Sequence, residues 1–316
     1  MAGAPGRGEQ EGLPRHFRPG MLSDSAHLPD SAPMTRPSPL SLALAALLLL
    51  APRPGRADDD QSLPDQTLER IVAHEREIIG DAEKQGDNVD EDSLREQLQT
   101  VCHDYEVLLQ ENPKFAEAYA AYGQLLWRLD MRKESMAMML KANQIDPDIP
   151  FVKNKIGNFL AEQGHPLEAV NYFISAIKLA PNVALYHYNF GLLLYEARDQ
   201  FLKSGDWTRS QIDNTSHEAF KRAAELAPNE EAYVYRYAES FYDIENPDWN
   251  EALKVWSGLE DRATTPVERQ TMELQAANVL IKQGKPDYAR VLLNAVTDPG
   301  LQIQKQKLVV QLDAKK

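Results

Sequence analysis

The residues able to do chemistry are few, and their spacings are wrong for it. The single cysteine, Cys102, excludes an internal disulfide and any site built from several thiolates, and is expected to be a small buried apolar residue. His74 and Glu75 begin a zinc-helix pattern, but the second histidine it requires is absent, since Ile78 stands there. His103, His165, His187 and His217 are scattered without metal-ligand spacing. There is no Gly-rich phosphate loop, no dinucleotide-binding glycine fingerprint and no nucleophile elbow. Asn214-Thr215-Ser216 fits the N-glycosylation pattern, a three-residue match too common to decide anything. With 48 acidic residues, neighbouring carboxylates arise by chance. The sequence therefore implies no catalytic residue, no metal and no cofactor, and it reads as a protein that is not an enzyme.

Composition narrows the partners. A chain of 316 residues that is 43% hydrophobic and 26% charged is globular in character. Its net charge is −14 and its basic residues do not cluster, which argues against nucleic acid and anionic membrane surfaces.

The segment ahead of the globular part reads as a leader. Leu40 to Ala51 is a run of twelve uncharged residues. At about 1.5 Å per residue it falls well short of a ~30 Å hydrocarbon core, which suits a secretory signal better than a membrane span. Arg36 precedes the run, Pro52 and Pro54 follow it, and Gly55-Arg56-Ala57 presents small residues where a signal peptidase reads. Residues 34–57 are thus expected to be a cleaved signal peptide beginning at Met34. Residues 1–33 are expected to be a disordered upstream extension of the reading frame. The chain from Asp58 onward then carries 28 basic against 44 acidic residues, a net −16, and no stable membrane span. The expected destination is the periplasm or the exterior; the alternative is a membrane-anchored form that keeps its leader.

The elements that follow are set by a repeat. Gly123, Gly157 and Gly191 lie 34 residues apart, and Pro113, Pro147 and Pro181 stand ten positions before them. Each period reads as two helices. A proline ends the second, because it lacks the N–H and pushes its neighbour out of helical angles. Small residues (Gly123, Gly157 and Gly191 on first helices, Ala142, Ala176 and Ala223 on second helices) are expected where helices cross closely. Leu126, Leu160, Leu194, Met139, Phe173 and Phe220 are expected to fill the spaces between neighbouring pairs, and Met136 and Met138 to pack with them. One pair cannot bury its own apolar stripe, so pairs must stack.

This grammar resembles the tetratricopeptide repeat family, whose period is 34 residues. The resemblance covers about Leu94 to Gly300 and is strongest over Pro150–Val183, with Gly157, Leu160, Gly164, Ala169, Phe173, Ala176 and Pro181 in place. It implies an all-α, right-handed solenoid of antiparallel helix pairs. The expected organisation is N-terminal helices at 58–115, including a degenerate leading repeat with Val101, Tyr105 and Leu108. An array at 116–300 follows, divided as 116–149, 150–183, 184–230, 231–265 and 266–300, and a capping helix at 301–316 turns Gln and Lys to water. In the first of these units Ser135 replaces the usual alanine. The third unit carries an insertion near 196–215. Its first helix is expected to continue by about two turns, followed by a break at Gly205-Asp206 and a loop over Trp207–Asn214.

In this family the first helices line a concave face that holds protein or peptide segments. The matching positions here are Gln124 and Trp127; Asn154, Lys155 and Asn158; Tyr188, Asn189, Leu192 and Tyr195; and Tyr235, Arg236, Glu239 and Tyr242. The aromatic residues among them offer large contact area at low entropic cost. Asn158, Asn189 and Arg236 match three positions of the carboxylate clamp found in some members. Asn154 and Ala232 replace that clamp's two lysines, which puts a true clamp in doubt. The function implied is a non-catalytic scaffold that binds protein segments. Its rivals are a self-associating structural array and an enzyme with an unrecognised site. If the leader is cleaved as read, N-terminal sequencing of the protein from its host begins at Asp58; an intact 34–57 on a membrane-bound form would replace export with anchoring.

Overall fold

The computed structural model describes residues 62–313, so the expected leader and extension lie outside the described residues. Those described are helical, with no strand among them, and they divide into two units, one through Ile156 and one from Gly157.

In the first unit, α1 (Leu63–Gln85) and α2 (Glu91–Glu111) form the leading pair. Helix α1 starts at a capping box in which the Ser62 hydroxyl accepts from the Asp65 N–H and the Asp65 carboxylate accepts from the Ser62 N–H. Its stripe of Leu68, Ile71, Val72 and Ile78 meets Leu94, Leu98, Val101 and Tyr105 of α2 in one apolar cluster. Glu75 sits within this stripe, accepting from the Tyr105 hydroxyl at 2.9 Å and paired with Arg128 at 3.2 Å. Burial raises its carboxyl pKa, and Arg128 opposes that shift. Cys102 is half-buried beside the cluster, and burial pushes its thiol up to about 12. Such surroundings disfavour the thiolate, which is the nucleophilic form.

Helices α3 (Ala116–Arg128) and α4 (Arg132–Ile145) follow, then α5 (Pro150–Glu162) and α6 (Pro166–Leu179). Two devices recur with the sequence period. The first is a left-handed residue in the turn between paired helices: Asp130 at φ 60° and Gly164 at φ 78°. It lets Met131 N–H reach the Leu126 carbonyl at 2.9 Å, and His165 N–H the Leu160 carbonyl at 2.8 Å. The second is the close crossing. A Cβ on Gly123 would meet Met139 at 3.0 Å, one on Gly157 would meet Phe173 at 3.1 Å, and one on Gly191 would meet Phe220 at 2.9 Å. Each large side chain thus lies against the glycine of its own pair. Phe173 also shares an apolar cluster with Phe190 and Leu194 of the following pair, and Phe220 has Arg236 of the following pair 5.4 Å from its ring centre, as expected of residues between pairs. Ser135 donates to the Gly123 carbonyl at 2.7 Å and Ser216 to the Gly191 carbonyl at 2.9 Å, so serine adds a hydrogen bond at this crossing. Met136 is buried with Met139, and Met138 packs against the core.

The insertion differs from expectation. Helix α7 (Ala184–Glu196) ends at Ala197 rather than running on, and a separate α8 (Arg198–Ser204) carries the chain to Gly205 at φ 81°. No loop spans 207–214. Helix α9 (Arg209–Leu226) begins there, because Thr208 and Gln211 form a capping box. The insertion therefore lengthens the second helix at its N-terminus. Phe201 is fully buried, with Trp207 edge-on at 5.6 Å. Arg198 pairs with Asp213 at 2.7 Å and Asp243 at 3.2 Å, which ties α8 to the helix after it and to the chain beyond. Burial raises the Asp243 carboxyl pKa despite Arg198.

Helices α10 (Glu231–Ser240), α11 (Trp249–Glu260), α12 (Pro266–Lys282), α13 (Pro286–Ala295) and α14 (Gln302–Asp313) complete the second unit. Ala238, Ala252, Trp256, Ala277 and Ala289 are fully buried, and Phe241 and Leu293 nearly so. His217 of α9 is buried, 2.8 Å from the Ser240 hydroxyl and edge-on to Phe241. Desolvation lowers its pKa.

Gly191→Leu is expected to lower unfolding free energy by at least ~1–3 kcal/mol, because the Phe220 ring cannot withdraw from a packed core. Gly258→Ala in α11, where nothing lies within 4 Å of the added carbon, is expected to raise it by about 0.5–1 kcal/mol. Gly86 offers no neutral comparison, since its φ of 54° strains any L side chain. Urea unfolding reads both changes; equal effects at 191 and 258 would refute the crossing.

Candidate functional site

The small residue at each crossing (Gly123, Gly157, Gly191, Ala238 and Ala277) sets the register of the first helices. Residues three before it share its face of the helix, since positions three apart are neighbours on a helix surface. Asn154 is accordingly 0% exposed and Tyr235 8% exposed, with the Tyr235 ring edge-on to Trp256 at 5.1 Å. Tyr188 is half-buried, its ring 5.9 Å from Phe220 and 4.6 Å from Tyr233. These three were candidates for a binding surface. Asn154 and Tyr235 are instead interior residues, and Tyr188 is mostly engaged with other rings.

Residues four after the small residue follow a different rule. Trp127, Tyr195 and Tyr242 all stand there, and all are half-buried. Each meets the residue two before the next small residue. The Lys155 ammonium lies 5.4 Å from the Trp127 ring centre, and the Arg236 guanidinium lies 3.8 Å from that of Tyr195. The Tyr242 hydroxyl approaches Gln275, 3.2 Å from its carbonyl and 3.3 Å from its side-chain oxygen. Arg132 covers Trp127 at 3.8 Å, Arg198 lies 5.0 Å from Tyr195, and Trp249 lies 5.6 Å from Tyr242. The aromatic side chains and cations expected to grip a ligand therefore grip one another, as rungs between successive first helices.

This arrangement decides what Arg236 can do. It is 9% exposed, stacked on Tyr195 and paired with Glu239 at 2.7 Å. A carboxylate arriving here would have to displace Glu239, so the partial likeness to a carboxylate clamp does not extend to the chemistry of this site. Glu196 and Glu239 were not singled out for charge, yet both flank the rung. Burial raises the Glu196 pKa, and Arg236 opposes the shift. Asn158, one residue after Gly157, and Asn189, two before Gly191, remain half-exposed on α5 and α7. Among the described residues no three His, Cys, Asp or Glu side chains could hold a metal ion, and no helix is long and apolar enough to cross a membrane.

Residues 116–149 match the model of the tetratricopeptide repeat family. A TPR repeat-containing protein of Treponema pallidum is 25% identical over 146 residues, which is 46% of this chain and 18% of that protein. The chain thus spans under a fifth of that relative. Among solved structures, YrrB, described as a TPR protein with an unusual peptide-binding site, superposes with a TM-score of 0.51 at 16% identity, over 67% of this chain and 97% of YrrB. PilF of Pseudomonas aeruginosa gives a TM-score of 0.52 at 16% identity, over 81% of this chain and all of that one. Residues 116–149 thus match one tetratricopeptide repeat, and the period, the crossings and these likenesses give the described residues the all-α fold of helix pairs seen in those structures.

A double-mutant cycle of Tyr195→Leu and Arg236→Met, read by urea unfolding, should show a coupling of about 0.5–2 kcal/mol. Additive effects would mean that the ring and the guanidinium are neighbours without being a rung.

Proposed function

We propose that this chain is a non-catalytic scaffold of an exported compartment that binds extended protein segments along its first helices. The observation that carries the reading is a row of half-buried side chains on two successive first helices. Asn158 lies on α5, and Asn189 and Tyr195 on α7, with Tyr195 stacked on Arg236. Asparagine amides donate and accept at once, as an extended peptide backbone requires. A ring that is already immobilised costs little entropy on binding. The peptide-binding site named for YrrB supports such a use of this fold. Export rests on the apolar run of Leu40–Ala51 and its Gly55-Arg56-Ala57 ending.

The buried residues are poor choices for a test, because Tyr235→Ala would empty space against Trp256 and unfold as much as unbind. Affinity capture with the protein from its host, read by mass spectrometry, identifies the bound segment. Asn158→Ala with Asn189→Ala should then weaken binding of that segment by roughly thirtyfold, with the circular dichroism unchanged. Lys178→Ala with Lys221→Ala, on second helices, should leave it unaltered. Equal affinity of the asparagine pair and the parent would end the reading.

A further inference from the structure

Helix α14 uses one face to close the second unit. Leu312 is buried, and Leu308 and Val309 pack on the cluster that holds Leu274, Ala277, Leu293 and Val296. Its opposite face is neither buried nor polar throughout. Ile303 is 72% exposed and Val310 58% exposed, and with Gln306, Lys307 and Gln311 they line one open depression. Their spacing of three, four, seven and eight residues from Ile303 places all five on a single stripe of the helix.

The occupant follows from charge and pattern. The chain has 48 acidic against 34 basic residues, so most of its surface repels a second copy. This stripe carries no carboxylate, and the acid that ends the helix, Asp313, is paired with Arg290 of α13 at 2.7 Å. The stripe is also its own complement. About a two-fold axis between positions 306 and 307, an antiparallel second copy sets Ile303 against Val310 and Gln306 against Lys307. Gln302 then meets Gln311. Alkyl groups meet alkyl groups, and the Gln306 amide oxygen accepts from the Lys307 ammonium. An acidic partner would find one ammonium on this stripe, and a basic partner no carboxylate.

We infer that the outer stripe of α14 is a self-association surface, on which two copies of this chain pair isologously with their α14 helices antiparallel. Two apolar side chains from each copy make a small contact, so the dimer is weak and forms reversibly. It lies on the capping helix, apart from the first-helix residues proposed to bind peptide, and so does not depend on that reading.

Sedimentation velocity of the protein as purified from its host, from about 1 to 300 µM, should show a monomer–dimer equilibrium with Kd on the order of 10–100 µM. Ile303→Glu and Val310→Lys, both at exposed positions, should each abolish the dimer without changing the circular dichroism. Mixing these two variants should restore a heterodimer. The carboxylate introduced at position 303 of one copy then faces the ammonium introduced at position 310 of the other, while the native Val310 and Ile303 still meet at the second contact. A monomer throughout the range overturns the inference. So does a dimer that survives either substitution, or a mixture that stays monomeric.

Discussion

The contact on which the repeat depends is the seat of a large side chain on a residue without one. Phe173 at Gly157 and Phe220 at Gly191 approach within about the closest distance a Cβ tolerates, and Met139 does the same at Gly123. A helix pair built this way gains a buried ring, worth about 1.5–3 kcal/mol in transfer alone, at the place where its axes come nearest. Where Ala238 and Ala277 replace glycine, the crossing still holds a small residue, and both are fully buried. The left-handed turn residue and the terminating proline act on the same geometry from outside: they fix how soon the second helix returns and where it stops.

The fold was legible because this constraint leaves a periodic trace. Glycine 34 residues from glycine cannot be met by a helix that merely needs an apolar stripe. The insertion was half legible: Gly205 marked the break, but Thr208 and Gln211 also spelt a helix start that the loop expectation passed over. The face for binding was the least legible part. Position rules taken from the family treat a first helix as having an inside and an outside. In this chain the residue three before the small one turns toward its neighbours, which is why Asn154 and Tyr235 are buried. Burial of that kind depends on the size of the facing side chain, Trp256 in the case of Tyr235, and no period in the sequence reports it.

The rungs have a consequence for recognition. Arg236 and Lys155 look in sequence like cations awaiting an anion, yet each lies over a ring, and Arg236 also holds Glu239. A stacked guanidinium that already has its carboxylate gives up both partners if it turns to a ligand. Arg236 therefore serves to position Tyr195, and a segment bound as proposed would be selected by side chains that donate and accept without carrying charge.

One step of the array lacks a rung. Between Gly157 and Gly191 the ring position is Ala161 and the facing position is Asn189, so these two positions carry neither the aromatic side chain nor the cation of the adjoining steps. The adjoining steps are bridged by Trp127 with Lys155 and by Tyr195 with Arg236. Omitting the bridge removes a stabilising contact from the repeat whose sequence otherwise fits the pattern best. It leaves an amide on each of α5 and α7, Asn158 and Asn189, at half-exposed positions with only a methyl group at 161 where a ring stands elsewhere. A segment bound across α5 and α7 as proposed would meet these amides and the Ala161 methyl group rather than a ring.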